Sequence, residues 1–245
     1  MTIRKENSRQ IDLKYHIKQY RNPYETTKQI TSFLNKKINL KFKNFLDLGS
    51  GSGANLFYLK KKFKIADSFG VDNQPTLIKL AKKMMKNKNI KNIRFYLGNI
   101  EKLNKSANIL KNKIDVVTIL QVLSILDGYK KVINSAIKFN PKFIAVSSLF
   151  WDGYLDFKIR VDFLKKNKGG IVTSRYYNIY SIYKYLEYMK SKGYKKNYVK
   201  KLKFMKNLKL KDKKIMGSYT SNLNGKKVLI TGPLIQSWYF IISKK

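Results

Sequence analysis

Short apolar runs alternate with amphipathic ones along most of this chain, and the alternation begins at Phe45–Leu48. That run, broken only by Asp47, is followed by glycines at 49, 51 and 53 and then by a helical pattern over Ala54–Phe63, with Leu56, Leu59 and Phe63 on one side. A buried strand feeding a tight turn into a helix N-terminus has this form. Asp67 to Val71 predicts a second short strand, ending at Asp72, and Pro75 stands where a helix can begin. Leu77 to Met85 continues that helix with Leu77, Leu80, Ala81 and Met84 inward. Ile93–Leu97 reads as strand three, closed by Gly98 and Asn99. Ile114–Leu120 is strand four, a run of the kind buried on both faces, and the Asp115 near its start reads as structural. Tyr129–Phe139 is the next helix, and Pro141 separates it from strand five, Phe143–Leu149.

On either side of this core the pattern changes. Residues 1–22 are polar and basic with scattered aromatics and read as an irregular arm. Pro23 then opens a helix over Tyr24–Ile38 with Ile30, Phe33 and Leu34 at helical spacing. After strand five, Trp151–Lys168 is aromatic and mixed, and Gly169-Gly170 breaks it. Ser181–Gly193 returns to helix, and Lys195–Lys214 reads as a solvated strand or loop. Tyr219–Leu223, the turn Asn224-Gly225 and Val228–Thr231 signal a hairpin, and Trp238–Ser243 a last strand.

Strands separated by helices imply right-handed crossovers and a parallel sheet. The fold expected is therefore α/β: a Rossmann-like, doubly wound, mostly parallel sheet with an antiparallel edge strand and helices on both faces. Residues 1–40 would form an arm and lid helix, and 41–245 one domain with a variable acceptor-side segment near 151–235.

Composition narrows the class. With 43% hydrophobic and 13% aromatic residues, the chain has the material for a core. Its longest apolar run is too short to span a bilayer, and the opening MTIRKENSRQ lacks the apolar centre of a signal peptide, so a cytoplasmic protein is expected. Without cysteine there is no disulfide framework and no thiolate metal site. The net charge of +39 invites a nucleic-acid partner, but arginine supplies only six of the 53 basic residues and lysine the other 47. Lys, Asn and Ile share A- and T-rich codons, so a biased genome explains the excess equally simply.

Gly49, Gly51 and Ala54 fit the G-x-G-x-x-G/A pattern of nicotinamide and flavin enzymes, so the glycines alone leave the ligand open. Asp47 discriminates further. A carboxylate inside the strand would repel a pyrophosphate and would suit a cation, such as an adenosine that carries a sulfonium and an amino group. The segment LDLGSGSG resembles the first motif of the class I S-adenosylmethionine-dependent methyltransferases: an apolar strand, an acid, then G-x-G-x-G. Gly49, Gly51 and Gly53 match all three glycines. The resemblance covers about residues 25–150 and implies S-adenosylmethionine as cofactor. It implies further that Asp72, with Asn73 after it, meets the ribose hydroxyls, and that Asn99 and Ile100 meet the adenine. Gln121, in Ile119-Leu120-Gln121-Val122-Leu123, falls at the family's fourth motif.

The sulfonium is an activated donor, so rate can come from holding an acceptor in line and excluding water. A hydroxyl acceptor also needs a base. His16, the only histidine, and Asp152, just beyond strand five in WDGYLD, are the candidate catalytic residues. Asp156 lies in the same stretch. Tyr20 and Tyr24 could turn their rings to the sulfonium or simply pack the lid. The run Tyr176-Tyr177-Asn178-Ile179-Tyr180 could line an acceptor pocket or pack.

The Asn/Asp-Pro-Pro-aromatic motif usual after strand four in base-amino methyltransferases is absent, and no RNA-binding module is visible. The whole resembles the small-molecule branch, similar to enzymes that decorate bacterial surface polysaccharides or their nucleotide-activated precursors. The acceptor expected is a small molecule, phosphorylated or nucleotide-linked in one version. An rRNA or tRNA methyltransferase and a noncatalytic binding module with the same fold are the alternatives.

Overall fold

The structure, a computed structural model, describes residues 13–103, 113–164, 171–203, 207, 218–231, 234–236 and 238–245. Two helices come first, α1 (Leu13–Arg21) and α2 (Glu25–Lys37). The expected irregular arm is thus helical over α1, and residues 1–12 lie outside the described part. In LKYHIKQYR the apolar positions Leu13, Ile17 and Tyr20 are at helical spacing, but lysines separate them and only Tyr20 is buried. α2 buries Ile30, Phe33 and Leu34 together, a contribution of roughly 1.5–3 kcal/mol for each such side chain.

Five parallel strands with intervening helices follow: β1 (Phe45–Leu48), α3 (Ala54–Lys62), β2 (Ser68–Asp72), α4 (Pro75–Asn87), β3 (Ile93–Leu97), β4 (Val116–Leu120), α5 (Lys130–Ile137) and β5 (Phe143–Trp151). A hairpin of β6 (Arg160–Leu164) and β7 (Ile171–Tyr176) replaces the mixed segment expected there. It leads through the short β8 (Tyr180–Ser181) into α6 (Ile182–Ser191) and β9 (Lys196–Lys201). β10 (Ser218–Leu223) and β11 (Lys226–Thr231) form the predicted hairpin, extended by β12 (Leu234–Ile235), and β13 (Trp238–Lys244) closes the chain. Asn224 and Gly225 both have positive φ, 47° and 71°, as a two-residue turn between twisted strands requires.

The main sheet runs β3-β2-β1-β4-β5-β13-β9, and β13 is antiparallel to both its neighbours. The antiparallel pairing expected at the sheet edge is present, with β13 next to β5 and β9 outermost. Residues from α2, α3 and α4 share one core with Phe45 and Val116, and residues from α5 and α6 share another with Leu46 and Val117. Helices thus cover both faces, which is the Rossmann-like doubly wound arrangement. Strand order reverses beside β1, so the crevice beyond the carboxyl ends of β1 and β4 is where such a sheet receives a ligand. None of the described helices is long and apolar enough to cross a membrane.

Candidate active site

The loop after β1 is built around left-handed backbone. Gly49, Gly51 and Gly53 have φ of 79°, 52° and 83°, a region that costs other residues roughly 1–2 kcal/mol. A side chain at Gly53 would overlap the Phe95 ring, so that glycine serves packing. Gly51 differs: a Cβ there would find only Leu77 Cδ1, 3.9 Å away. The open room at this turn is what an approaching ligand needs.

Asp72 ends β2 and organises the loop. Its Oδ2 accepts the Gly51 N–H at 2.8 Å and its Oδ1 the Gln74 N–H at 2.9 Å, just before α4 begins. Each oxygen keeps acceptor capacity for a second donor. Asn73 beside it is exposed. Asp47 lies in β1 between Gly70 of β2 and Thr118 of β4. It is buried, and Thr118 Oγ1 donates to its Oδ1 at 2.7 Å. Burial pushes its carboxyl up to about 7, with the Thr118 hydrogen bond opposing and the Asp72 charge assisting.

The remaining predicted cofactor residues lie at the same end of the sheet. Asn99 follows β3, exposed, with its Oδ1 accepting the Glu101 N–H at 2.9 Å, and Ile100 is buried beside it. Gln121 turns the chain out of β4 with φ of 61°; its N–H donates to the carbonyl and the hydroxyl of Ser147, and its side chain is exposed. Tyr20 reaches the glycine loop from α1. Its hydroxyl donates to the Ser52 carbonyl, its ring packs on Phe57 at 5.3 Å, and burial holds its pKa above the usual range. Tyr24 instead packs against Tyr15, with ring centroids 5.5 Å apart.

The two catalytic candidates have separate surroundings. His16 sits on α1 with its ring edge-on to Tyr15, whereas Asp152 follows β5, is exposed and lies beside Tyr183, whose pKa its carboxylate raises. Tyr183 stacks on Tyr154 at 4.8 Å and 13°, so an acid and two aromatic rings form a shelf beyond β5. Asp156 is spent structurally: its Oδ1 accepts the Ser181 N–H at 2.8 Å at the start of α6. Asp115 is structural as expected, accepting the Asn44 N–H at 3.0 Å.

Within Tyr176–Tyr180 the structure favours packing. Tyr180 meets Tyr129 edge-on at 5.1 Å and donates to the Leu123 carbonyl, and burial pushes its pKa to about 12. Asn178, fully buried, was not singled out by the pattern. Its N–H and Nδ2 reach the carbonyls of Ser124 and Leu126, each at 2.7 Å, and its Oδ1 accepts from Ile159 N–H at 3.1 Å. This clamp ties the chain after β4 to the segment after β7. Asn178→Ala is expected to destabilise the protein by about 2–3 kcal/mol, because buried partners lose their bonds. In a thermal scan the loss would read as a fall of about 5–10 °C in Tm.

A cleft of about 260 Å³ is lined by Trp151 at the end of β5, by Phe157, Ile159 and Ile179 in the segments flanking the β6–β7 hairpin, and by Leu234, Ile235 and Gln236 at β12.

Residues 40–217 match the profile of a protein family described as "Methyltransferase domain", which covers most of the chain. The protein belongs to this methyltransferase family. The release factor glutamine methyltransferase of Buchnera aphidicola subsp. Schizaphis graminum is 29% identical over 104 residues. That match spans 42% of this chain and 38% of the relative's length. An S-adenosylmethionine-dependent methyltransferase from Clostridium acetobutylicum ATCC 824 superposes with a TM-score of 0.57 at 15% identity, covering 95% of this chain and 98% of that one. The N-terminal domain of EvdMO1, solved with S-adenosylhomocysteine bound, gives 0.56 at 12% identity, covering 92% and 83%. At these identities the likeness is one of fold.

The site fits the cofactor of such a methyltransferase: there is room at Gly51, acceptor capacity on Asp72 and an unpaired acid at Asp47. S-adenosylmethionine held at this loop would supply a methyl group already activated on sulfur.

Proposed function

We propose that this methyltransferase transfers a methyl group to a hydroxyl of a small polyhydroxylated acceptor: a sugar, a sugar nucleotide or a surface-glycan precursor. In this reading Asp72 holds the ribose and the backbone at Gly49, Gly51 and Gly53 lies along the methionyl part. Asn99, Ile100 and Gln121 border the adenosine, and Tyr20 anchors the lid to the loop. Asn73 is exposed beside Asp72 and Tyr24 packs within the lid, so both are peripheral.

The observation that carries the acceptor class is the shelf of Asp152, Tyr154 and Tyr183 beyond β5. Aromatic faces suit the C–H faces of a sugar ring, and a carboxylate suits its hydroxyls. Asp152 is the base that removes the hydroxyl proton. His16, on α1 against Tyr15, is left as a packing residue. The charge of +39 is what favours the alternative of an RNA acceptor; among the described residues, Lys158, Arg160 and Lys184, in the segments around and after this shelf, are paired with Asp127, Asp162 and Asp156.

The test is transfer of labelled methyl from S-adenosylmethionine to a panel of monosaccharides and nucleotide sugars, run beside bulk RNA. Label should enter the small acceptors, and Asp152→Asn should lower kcat about 100-fold with cofactor affinity unchanged. Label in RNA alone would refute the assignment.

A further inference from the structure

Four ion pairs are formed among the described residues, and all of them are at the surface. Asp47 is in none of them, although the chain carries 53 lysines and arginines. It is 1% exposed. Thr118 holds its Oδ1, and its Oδ2 is buried without a hydrogen-bond partner. The charged group acting on it is another acid, Asp72 of β2. Its neighbours in register, Gly70 and Thr118, carry no charge. Ser50 Oγ, which would lie 2.7 Å from a Cβ on Gly70, is a second buried atom without a partner in this niche. A buried carboxylate with no cation is among the costliest groups a fold can hold, at several kcal/mol. No Lys or Arg among the described residues is paired with it, which leaves room for a positive charge brought by a ligand.

Resting on the glycine loop as the donor site, we propose that Thr118 is a positioning residue for the methyl donor. By tying one oxygen of Asp47, it leaves the other as counter-charge to the donor's cationic end. Two groups of S-adenosylmethionine can supply that charge, the sulfonium and the ammonium. Thr118 interrupts the apolar run VVTIL at the position opposite Asp47, and it matters through that acid rather than by touching the cofactor.

Proton traffic follows from the burial of Asp47. With its carboxyl up at about 7 in the free protein, the acid is largely protonated below neutral pH. Donor uptake then expels that proton. Affinity should fall as pH drops below 7, by up to about tenfold per pH unit, and level off above it until the donor's own ammonium loses its proton at about pH 8.

Calorimetry on the full chain tests this, with S-adenosylmethionine and S-adenosylhomocysteine titrated between pH 6 and 8.5 in buffers of different ionisation enthalpy. Near pH 6.5 the wild type should release a large fraction of one proton. Release with both ligands identifies the ammonium as the answering charge, and release with S-adenosylmethionine alone the sulfonium. Thr118→Val should bind about tenfold more weakly at pH 7 and move the pH midpoint upward by about one unit, and Thr118→Ser should restore both. Binding by the wild type without proton release would overturn the proposal while leaving the donor site intact, and no wild-type binding at all would overturn both. If Thr118→Val does not fold, the wild-type proton count still decides.

Discussion

Asp72→Ala is expected to weaken S-adenosylmethionine binding about 100-fold or more while leaving the protein folded. The carboxylate does two things at once. Toward the protein it ties the Gly51 N–H and the Gln74 N–H, which fixes the loop against the start of α4. Toward a bound cofactor it would offer the remaining capacity of both oxygens. Hydrogen bonds to a charged group are worth roughly 1.5–3 kcal/mol each, so loss of two exceeds a factor of 100. The stability cost is smaller, because Gly51 and Gln74 lie near the surface, where water can replace the lost acceptor. Calorimetric titration beside a thermal scan separates the two effects. Undiminished binding by the variant would refute the assignment of this acid to the cofactor.

Alanine at Gly53 and at Gly51 should fail in opposite ways. At Gly53 the added methyl enters the Phe95 ring, a core side chain, while the backbone remains at a φ of 83°. Strain of about 1–2 kcal/mol and overpacking of about 1–3 kcal/mol combine there. Tm should fall by about 10 °C, taking 2–4 °C for each kcal/mol in a chain of this size. At Gly51 the methyl has space, so only the strain remains and Tm should fall by about 3 °C. That space, however, is where the cofactor comes close, and Gly51→Ala should bind S-adenosylmethionine at least tenfold more weakly. Equal loss of stability in the two variants would show that both glycines serve packing alone.

The shelf beyond β5 and the niche around Asp47 bear on different halves of the reaction. Asp152 is exposed and in the proposed reaction would act on the acceptor, whereas Asp47 is buried beneath the loop and would act on the donor. Variants at the two acids should therefore separate in kinetics, with Asp152→Asn expressed in kcat and Thr118→Val in cofactor affinity and its pH profile.

Local pattern alone was enough for the five parallel strands, the helices between them, the Asn224-Gly225 hairpin and the closing strand. Each is written within a few consecutive residues, as an apolar run, a helical period or a turn pair. The spacing of Asp72 behind the glycines was legible too, because one helix and one strand set that distance. Less was visible where burial came from elsewhere in the chain. α1 shows a weak stripe, and its one buried residue, Tyr20, is buried by a loop 32 positions away. Only sheet register brings Thr118 to Asp47, 71 positions apart, although a hydroxyl amid apolar neighbours was a usable signal. Asn178 reads as one more polar residue until its side chain is seen to meet Leu126, 52 positions earlier. The sequence by itself determined the sheet and the donor loop, since both depend on neighbours in the chain. The partners of its buried polar groups were decided by the tertiary structure, because such groups pair across strands and inserts that no local pattern aligns.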